Sequence, residues 1–322
     1  MERSNPPAGS TTQNKMDLPS YPRVYLRSSH VQQPTVAQRV RLHNVKTAFR
    51  SFCQKTPLLR DLYVTTRTVY NRRRFAKAAR SYFVNSEEYC NALKTNDGTV
   101  VDVCTSDGLT ISIRRNCMDA IILAEIFLDN SYTRGLSLPA EPVVVDIGGY
   151  IGDFALFAAK RLNARKVVVC EPSPRNWVLL QKNVAQNHFH DRIIMVNKAV
   201  TEGKGVMMNV EAPDREQARV SAYYPTEEQR TMVPGVSLSN LVEQQRLEVI
   251  DLLKMDCEGG EYVILSSMSS ALFRRIKNIV FEYHEIPGFE AKLRDAKRTL
   301  CDEGYALTER GSLVFASRRP SS

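Results

Sequence analysis

From Pro142 to the C-terminus, short apolar runs alternate with stretches of helical periodicity, and this alternation constrains the fold more than any other feature of the chain. Val143-Val144-Val145 is a continuous apolar run, as a parallel strand covered on both faces requires. A helix is predicted over 153–162 and a second strand over 166–171. The next helix, 174–187, carries Pro174 in its first turn, where a missing N–H costs nothing. Further strands are predicted at 193–196, 250–255 and 278–283, with helices over 261–268 and 289–303. Two last strands, near 305–307 and 312–316, meet through Glu309-Arg310-Gly311 as a hairpin. The pattern implies an α/β fold: a doubly wound, Rossmann-like, seven-stranded sheet with a C-terminal antiparallel β-hairpin.

Upstream, 99–104 and 109–113 are β-rich runs joined through Ser106-Asp107-Gly108, a hairpin signal. Asp119 is placed to cap a helix ending at Phe127, whose Ile121, Ile122 and Ile126, with Leu128, face the next layer. Residues 1–35 are rich in Pro, Ser, Thr, Asn and Gln and read as disordered or loosely packed. A basic helical extension, 36–97, then precedes a larger domain, 98–322, divided into a hairpin and helix (98–141) and a Rossmann-like core (142–322).

Charge is unevenly spread. Between residues 36 and 83, twelve Lys and Arg face one acid, Asp61. That stretch carries +11 in a chain of net charge +9, so the remainder sums to −2. The basicity belongs to the extension and not to the sheet. Arg72-Arg73-Arg74 can contact phosphates or anionic lipid, or simply solvate a helix face. Hydrophobic residues at 43% and charged residues at 25% place the chain with globular proteins and against a disordered one. No apolar run reaches the ~18–20 residues that cross a bilayer. The N-terminus lacks the apolar core of a secretory signal, so a cytoplasmic location is expected. Seven scattered cysteines without a C-x-x-C pair argue against a disulfide framework or a thiolate metal site, and no metal is expected.

In doubly wound sheets ligands sit at the carboxyl ends of the strands, so the turn after the first core strand matters most. It reads Asp146-Ile147-Gly148-Gly149-Tyr150-Ile151-Gly152-Asp153. Gly148, Gly149 and Gly152 let the backbone turn tightly and approach a ligand closely. A dinucleotide site prefers G-x-G-x-x-G, but an opening Gly148 then needs glycine at position 150, which is Tyr150. Asp146 and Asp153 crowd the turn with carboxylates that repel a pyrophosphate, although a helix N-terminus otherwise suits anions. A ligand bearing an ammonium and a sulfonium, such as S-adenosylmethionine, is attracted instead. Glu171, ending the second strand, is placed to accept the ribose hydroxyls, and Pro172-Ser173-Pro174 turns the chain beside the adenosine. Tyr150 can cover the cationic end through its ring or simply pack.

With these residues in order, the chain resembles the FkbM-type methyltransferases of the class I S-adenosylmethionine-dependent fold. The resemblance spans about 107–315. It rests on Gly108-Leu-Thr-Ile-Ser-Ile113, the helix from Asp119 to Leu128, Val145-Asp-Ile-Gly-Gly-Tyr-Ile-Gly152, Glu171-Pro-Ser173 and Asn197-Lys-Ala-Val200. Most specific is Asp251-Leu-Leu-Lys-Met-Asp-Cys-Glu-Gly-Gly-Glu261, with its Lys-x-Asp-x-Glu-Gly-x-Glu core. The resemblance implies that S-adenosylmethionine is held by Asp146, Gly148, Gly149, Tyr150, Gly152, Glu171, Pro172, Ser173, Lys198 and Asp256. It also implies methylation of a hydroxyl oxygen on a natural product, a sugar or a related small molecule. Gly149, where many members carry another residue, is a departure.

Lys254, Asp256 and Glu258 alternate along an extended segment and Glu261 begins the next helix, so ionisable groups gather at one strand end. Asp256 can accept from the donor's ammonium or orient an acceptor hydroxyl. Glu258 or Glu261 can serve as general base, or favour the helix start electrostatically. His284 emerges after the fifth strand at the same edge, with a pKa suited to proton removal, or is a satisfied loop histidine. Glu282 is expected to face Lys254. The polar segment 201–236, with Tyr223-Tyr224, shapes an acceptor pocket or is a surface excursion. Two rivals stand beside the methyltransferase: an NAD-dependent oxidoreductase, disfavoured by the glycine spacing, and a nucleic-acid- or membrane-surface-binding protein using 36–83.

Overall fold

The computed structural model of the chain describes residues 74–115, 118–203, 205–209, 230–283 and 288–319. The expected loose segment 1–35, most of the basic stretch 36–83, Tyr223-Tyr224 and His284 lie outside the described residues. A helical stretch at 74–82 leads into α1 (Ser86–Ala92), a hairpin of β1 (Val100–Cys104) and β2 (Thr110–Arg114), and α2 (Met118–Phe127). The core opens with β3 (Val143–Ile147), α3 (Asp153–Arg161), β4 (Lys166–Cys170), α4 (Pro174–Gln186) and β5 (Ile193–Val196). Two small sheets follow: β6 (Ala199–Thr201) parallel to β9 (Gly235–Ser237), and β7 (Val206–Asn209) antiparallel to β8 (Arg230–Val233). The ends of the supposed excursion 201–236 are therefore paired strands. The chain finishes with α5 (Leu238–Gln244), β10 (Leu252–Met255), α6 (Gly260–Ser267), α7 (Ser270–Arg274), β11 (Asn278–Glu282), α8 (Glu290–Asp302), β12 (Tyr305–Arg310) and β13 (Leu313–Arg318).

Seven strands form one sheet in the order β12-β13-β11-β10-β3-β4-β5. All neighbours from β11 to β5 are parallel, and β13 runs antiparallel to both β11 and β12. The chain steps outward from β3 through β4 to β5 and then returns to the other side of β3 as β10. The point of reversal therefore lies between β3 and β10, where such sheets hold their ligands. The closing hairpin turns at Gly311-Ser312, with Gly311 at φ +65°, so Glu309 and Arg310 belong to β12 and not to the turn.

The period-2 geometry of each strand splits its side chains between two apolar layers. Val144, Val167, Val169, Leu252 and Val280 pack under α2, α3 and α4, while Val143, Val145, Val168, Leu253 and Met255 face α5, α6 and α7. Every residue of β3 is buried, as its continuous apolar run required. Each fully buried Val, Leu or Ile contributes about 1.5–3 kcal/mol, so the two layers supply the fold's main driving force. Phe75, Ala79, Phe83, Tyr89 and Leu93 are buried in the first layer.

The upstream hairpin is joined to the core by amides of α4 and of its C-cap, Asn187. Asn183 Oδ1 accepts the Ser112 N–H at 2.7 Å, and its Nδ2 donates to the carbonyls of Ser112 and Ile151. Asn187 repeats the pattern on Thr110, accepting its N–H and donating to its carbonyl. These amides stand in for a missing neighbour strand and satisfy β2's outer backbone groups.

Candidate active site

The β3–α3 turn is built around glycine, for reasons internal to the protein. Gly148 has φ +81°, and a Cβ there would lie 1.9 Å from the carbonyl oxygen of Asp256. A Cβ on Gly149 would lie 2.1 Å from Cγ2 of Val169. The two glycines thus make room for the β10–α6 turn and for β4, a reason for their bareness that the sequence pattern did not announce. Gly152, at φ +85°, is the left-handed residue before Asp153. Tyr150 also adopts a positive φ of 49°, a conformation that costs a side-chain-bearing residue of order 1 kcal/mol.

Asp146 and Lys254 face each other in register on β3 and β10, with Nζ 2.9 Å from Oδ1. The same ammonium donates to the carbonyl of Gly148 at 2.7 Å and lies over the rings of Tyr132 and Phe154, at 5.2 and 5.9 Å. Burial works against charge on Lys254, but Asp146, Asp256 and Asp153 outweigh it and hold the ammonium well above its ordinary pKa. Burial raises the Asp146 carboxyl despite Lys254, and pushes Asp153 up to about 7 against the same lysine. Asp146 Oδ2 and Asp153 Oδ2 are buried without a hydrogen bond among the described residues. One lysine thus stands among three aspartates. A ligand with a cationic end fits this excess of carboxylate; a pyrophosphate does not. Glu282 was expected to face Lys254. The register partner of Lys254 on β11 is Val280, and Glu282, one step beyond the ladder, accepts from Ser312 Oγ.

Glu171 follows β4 and is also buried. One oxygen accepts the Tyr150 N–H and the other the Ser173 N–H, each at 2.8 Å, with Asn176 Nδ2 at 3.5 Å. Burial nevertheless pushes its carboxyl up to about 7, against those N–H bonds. Pro174 opens α4, as its place in the first turn implied, and Ser173 caps that helix. Asn197, beside Lys198, donates to the Glu171 carbonyl, so the loop after β5 borders this end of the site. Pro172 and Lys198 are half-buried there.

Asp256 follows β10, with its N–H bonded to the Ile147 carbonyl, and is half-buried. Its Oδ2 accepts the hydroxyl of buried Tyr132 at 2.6 Å. Tyr132 escaped the sequence reading because Asn130-Ser-Tyr-Thr-Arg-Gly reads as a polar turn, and no periodicity marks its one buried ring. Glu258 sits in the following turn at φ +53°. Glu261 is fully buried, and its two oxygens accept the N–H groups of Cys257 and Gly259 at 2.6 and 2.8 Å. Of the two roles open to Glu261, holding its own helix start is the one its contacts fill, and this corrects its reading as a general base. Asp119 lies inside the first turn of α2, where it pairs with Arg114. Tyr150 turns its hydroxyl to Asp119 and its ring to Arg114, so the cation over that ring belongs to the protein.

Residues 146–307 match the family model described as the methyltransferase FkbM domain. The chain is similar to "Methyltransferase sdnD" of Sordaria araneosa, 25% identical over 216 residues that cover 58% of this chain and 82% of that protein. It is 28% identical to "31-O-demethyl-FK506 methyltransferase FkbM" of Streptomyces tacrolimicus over 226 residues, 60% of this chain and 84% of that one. Among solved structures, a methyltransferase FkbM from Methylobacillus flagellatus KT aligns with a TM-score of 0.42 at 14% identity, covering 60% of this chain and 47% of that chain.

Proposed function

The chain belongs to the FkbM methyltransferase family, and from that membership we propose that it transfers the methyl group of S-adenosylmethionine to a hydroxyl oxygen of a small molecule or glycan. One observation carries the donor reading: adjacent strands β4, β3 and β10 bring Glu171, Asp146 and Asp256 to one edge of the sheet, around one glycine turn. Glu171 is the acceptor for ribose hydroxyls, with Ser173 and Pro172 turning the chain beside it. Asp146, Asp153 and Asp256 favour the cationic end of the ligand. When bound, the donor supplies an electrophilic methyl on a positively charged sulfur. The protein's own work is alignment and the removal of one proton.

Asp256 is the proton acceptor or hydroxyl-orienting group this arrangement favours, because Tyr132 fixes one of its oxygens. Glu258 and His284 are the other candidate bases. The relative named as a 31-O-demethyl-FK506 methyltransferase supports an oxygen acceptor. The basic stretch 36–83 supports a separate contact with an anionic surface. An oxidoreductase reading is weaker, since a dinucleotide's phosphates would meet four acids and a lysine already paired.

Calorimetric titration with S-adenosylmethionine tests the donor. Binding is expected for the wild type and a loss of roughly tenfold or more for Glu171→Ala, as for a charged hydrogen-bond acceptor removed. Equal affinity for NADH, or no heat with the methyl donor, reverses the assignment.

A further inference from the structure

Arg114, at the end of β2, lies upstream of the residues matched by the family model, yet it closes a buried ring of contacts around Glu171. Its guanidinium grips both oxygens of Asp119, with Nε–Oδ2 at 2.9 Å and Nη2–Oδ1 at 3.2 Å. Nη1 donates to Asn176 Oδ1 at 3.0 Å, and Cζ lies 5.1 Å from the centre of the Tyr150 ring. Asp119 in turn accepts the Tyr150 hydroxyl at 2.6 Å. Tyr150 and Asn176 are two of the three described residues that donate to the Glu171 carboxylate, with Ser173 the third. Arg114 and Asp119 are 4% and 0% exposed, so this ion pair acts in a low dielectric and is anchored from several sides.

Two consequences follow for the carboxylate. By donating to Oδ1 of Asn176, Arg114 fixes which end of that amide points away, so Nδ2 is turned toward Glu171. By holding Asp119 and stacking on the ring, it pins Tyr150 at its positive φ, the conformation from which the Tyr150 N–H reaches Glu171.

The geometry points to Arg114 as a positioning residue for donor binding, acting through Tyr150 and Asn176 to fix the Glu171 carboxylate for the ribose hydroxyls. The inference rests on the donor reading above. Lysine keeps the charge at this position but loses the planar fork that engages Asp119 and Asn176 together.

Titration of the full chain with S-adenosylhomocysteine, on a double-mutant cycle of Arg114→Lys and Glu171→Ala, provides the test. Arg114→Lys is expected to weaken binding roughly tenfold in the wild-type background and by less than about twofold when Glu171 is already alanine. Competition with adenosine and 2′-deoxyadenosine adds a readout that general destabilisation does not move: the wild type prefers the ribose, and Arg114→Lys loses the preference. If thermal melts show Arg114→Lys to be unfolded, Tyr150→Phe opens the same ring without stranding a charge and must show the same loss of ribose preference. Wild-type affinity in Arg114→Lys, or equal losses in both backgrounds, overturns the positioning role while leaving the donor reading intact. No binding by the wild type overturns the donor reading and this inference with it.

Discussion

Glu171 holds its charge at a cost: burial lifts its carboxyl to about 7 in the fold, against an ordinary 4.5. The folded state therefore binds this proton more tightly than the unfolded chain does. Stability present below about pH 4.5 is lost as pH rises toward 7. Asp153, also lifted to about 7, adds a slope of the same sign. Wild-type melting temperature is expected to fall between about pH 4.5 and pH 7. In Glu171→Gln that fall should shrink by an amount worth up to roughly 3 kcal/mol. Equal slopes in differential scanning calorimetry would mean the carboxyl is not strained. Ligand hydroxyls favour the ionised form, so affinity for S-adenosylhomocysteine should rise through the same window in the wild type and stay flat in the glutamine variant. At this scale the sequence was partly legible. Acids at strand ends could be read from position alone, since a strand's last residue is known once the apolar run is. Partners could not. The lysine at 254 meets Asp146 because β10 lies beside β3 in a particular register, and Tyr132 enters from a loop with no pattern of its own.

Elements with long one-dimensional signals were the legible ones. The apolar runs of β3 and β4 and the helix opened by Pro174 stand where periodicity and the first-turn proline put them. Short elements were missed: α5 and α7 have seven and five residues, and β6 to β9 have three or four. Their partners are distant in sequence, so no local window contains the reason they form. The docking of β2 on α4 is another non-local device, because nothing in Asn183 or Asn187 announces that each amide will satisfy a strand edge. Asn183→Ala leaves a buried N–H and two carbonyls without those partners. Unsatisfied groups of this kind cost about 1–3 kcal/mol each, though water entering at the edge recovers part. Urea denaturation should show a loss of roughly 2–4 kcal/mol with an unchanged m-value. A loss below about 1 kcal/mol would show that the hairpin does not depend on this amide.

For the molecule as a whole, the close join lies between the two halves of the sheet, where the turn after β3 meets the turn after β10. Gly148 and Gly149 are adjacent in sequence, but they meet different obstacles. An alanine methyl at 149 collides with a side chain, Val169 Cγ2 at 2.1 Å. That neighbour can be cut back, and the position has no positive φ to resist a side chain. A methyl at 148 collides with backbone, the Asp256 carbonyl at 1.9 Å, at φ +81°. No side-chain truncation clears that contact, and the left-handed conformation adds about 1–2 kcal/mol of its own. Overpacking predicts that Gly149→Ala alone costs about 1–3 kcal/mol. Adding Val169→Ala should then cost less than it does in the wild type, a positive coupling visible in a double-mutant cycle. Gly148→Ala should be the more damaging change and have no such suppressor. To admit the methyl, β10's turn must move away from β3, carrying Asp256 from Asp146 and loosening the lysine that bridges Asp146 to the Gly148 carbonyl. Stability and affinity for S-adenosylhomocysteine should therefore fall together in Gly148→Ala. In Gly149→Ala with Val169→Ala, affinity should return along with stability. If Gly148→Ala folds normally and binds as the wild type does, the two turns are not held in contact and the carboxylates at the strand ends are placed by something else.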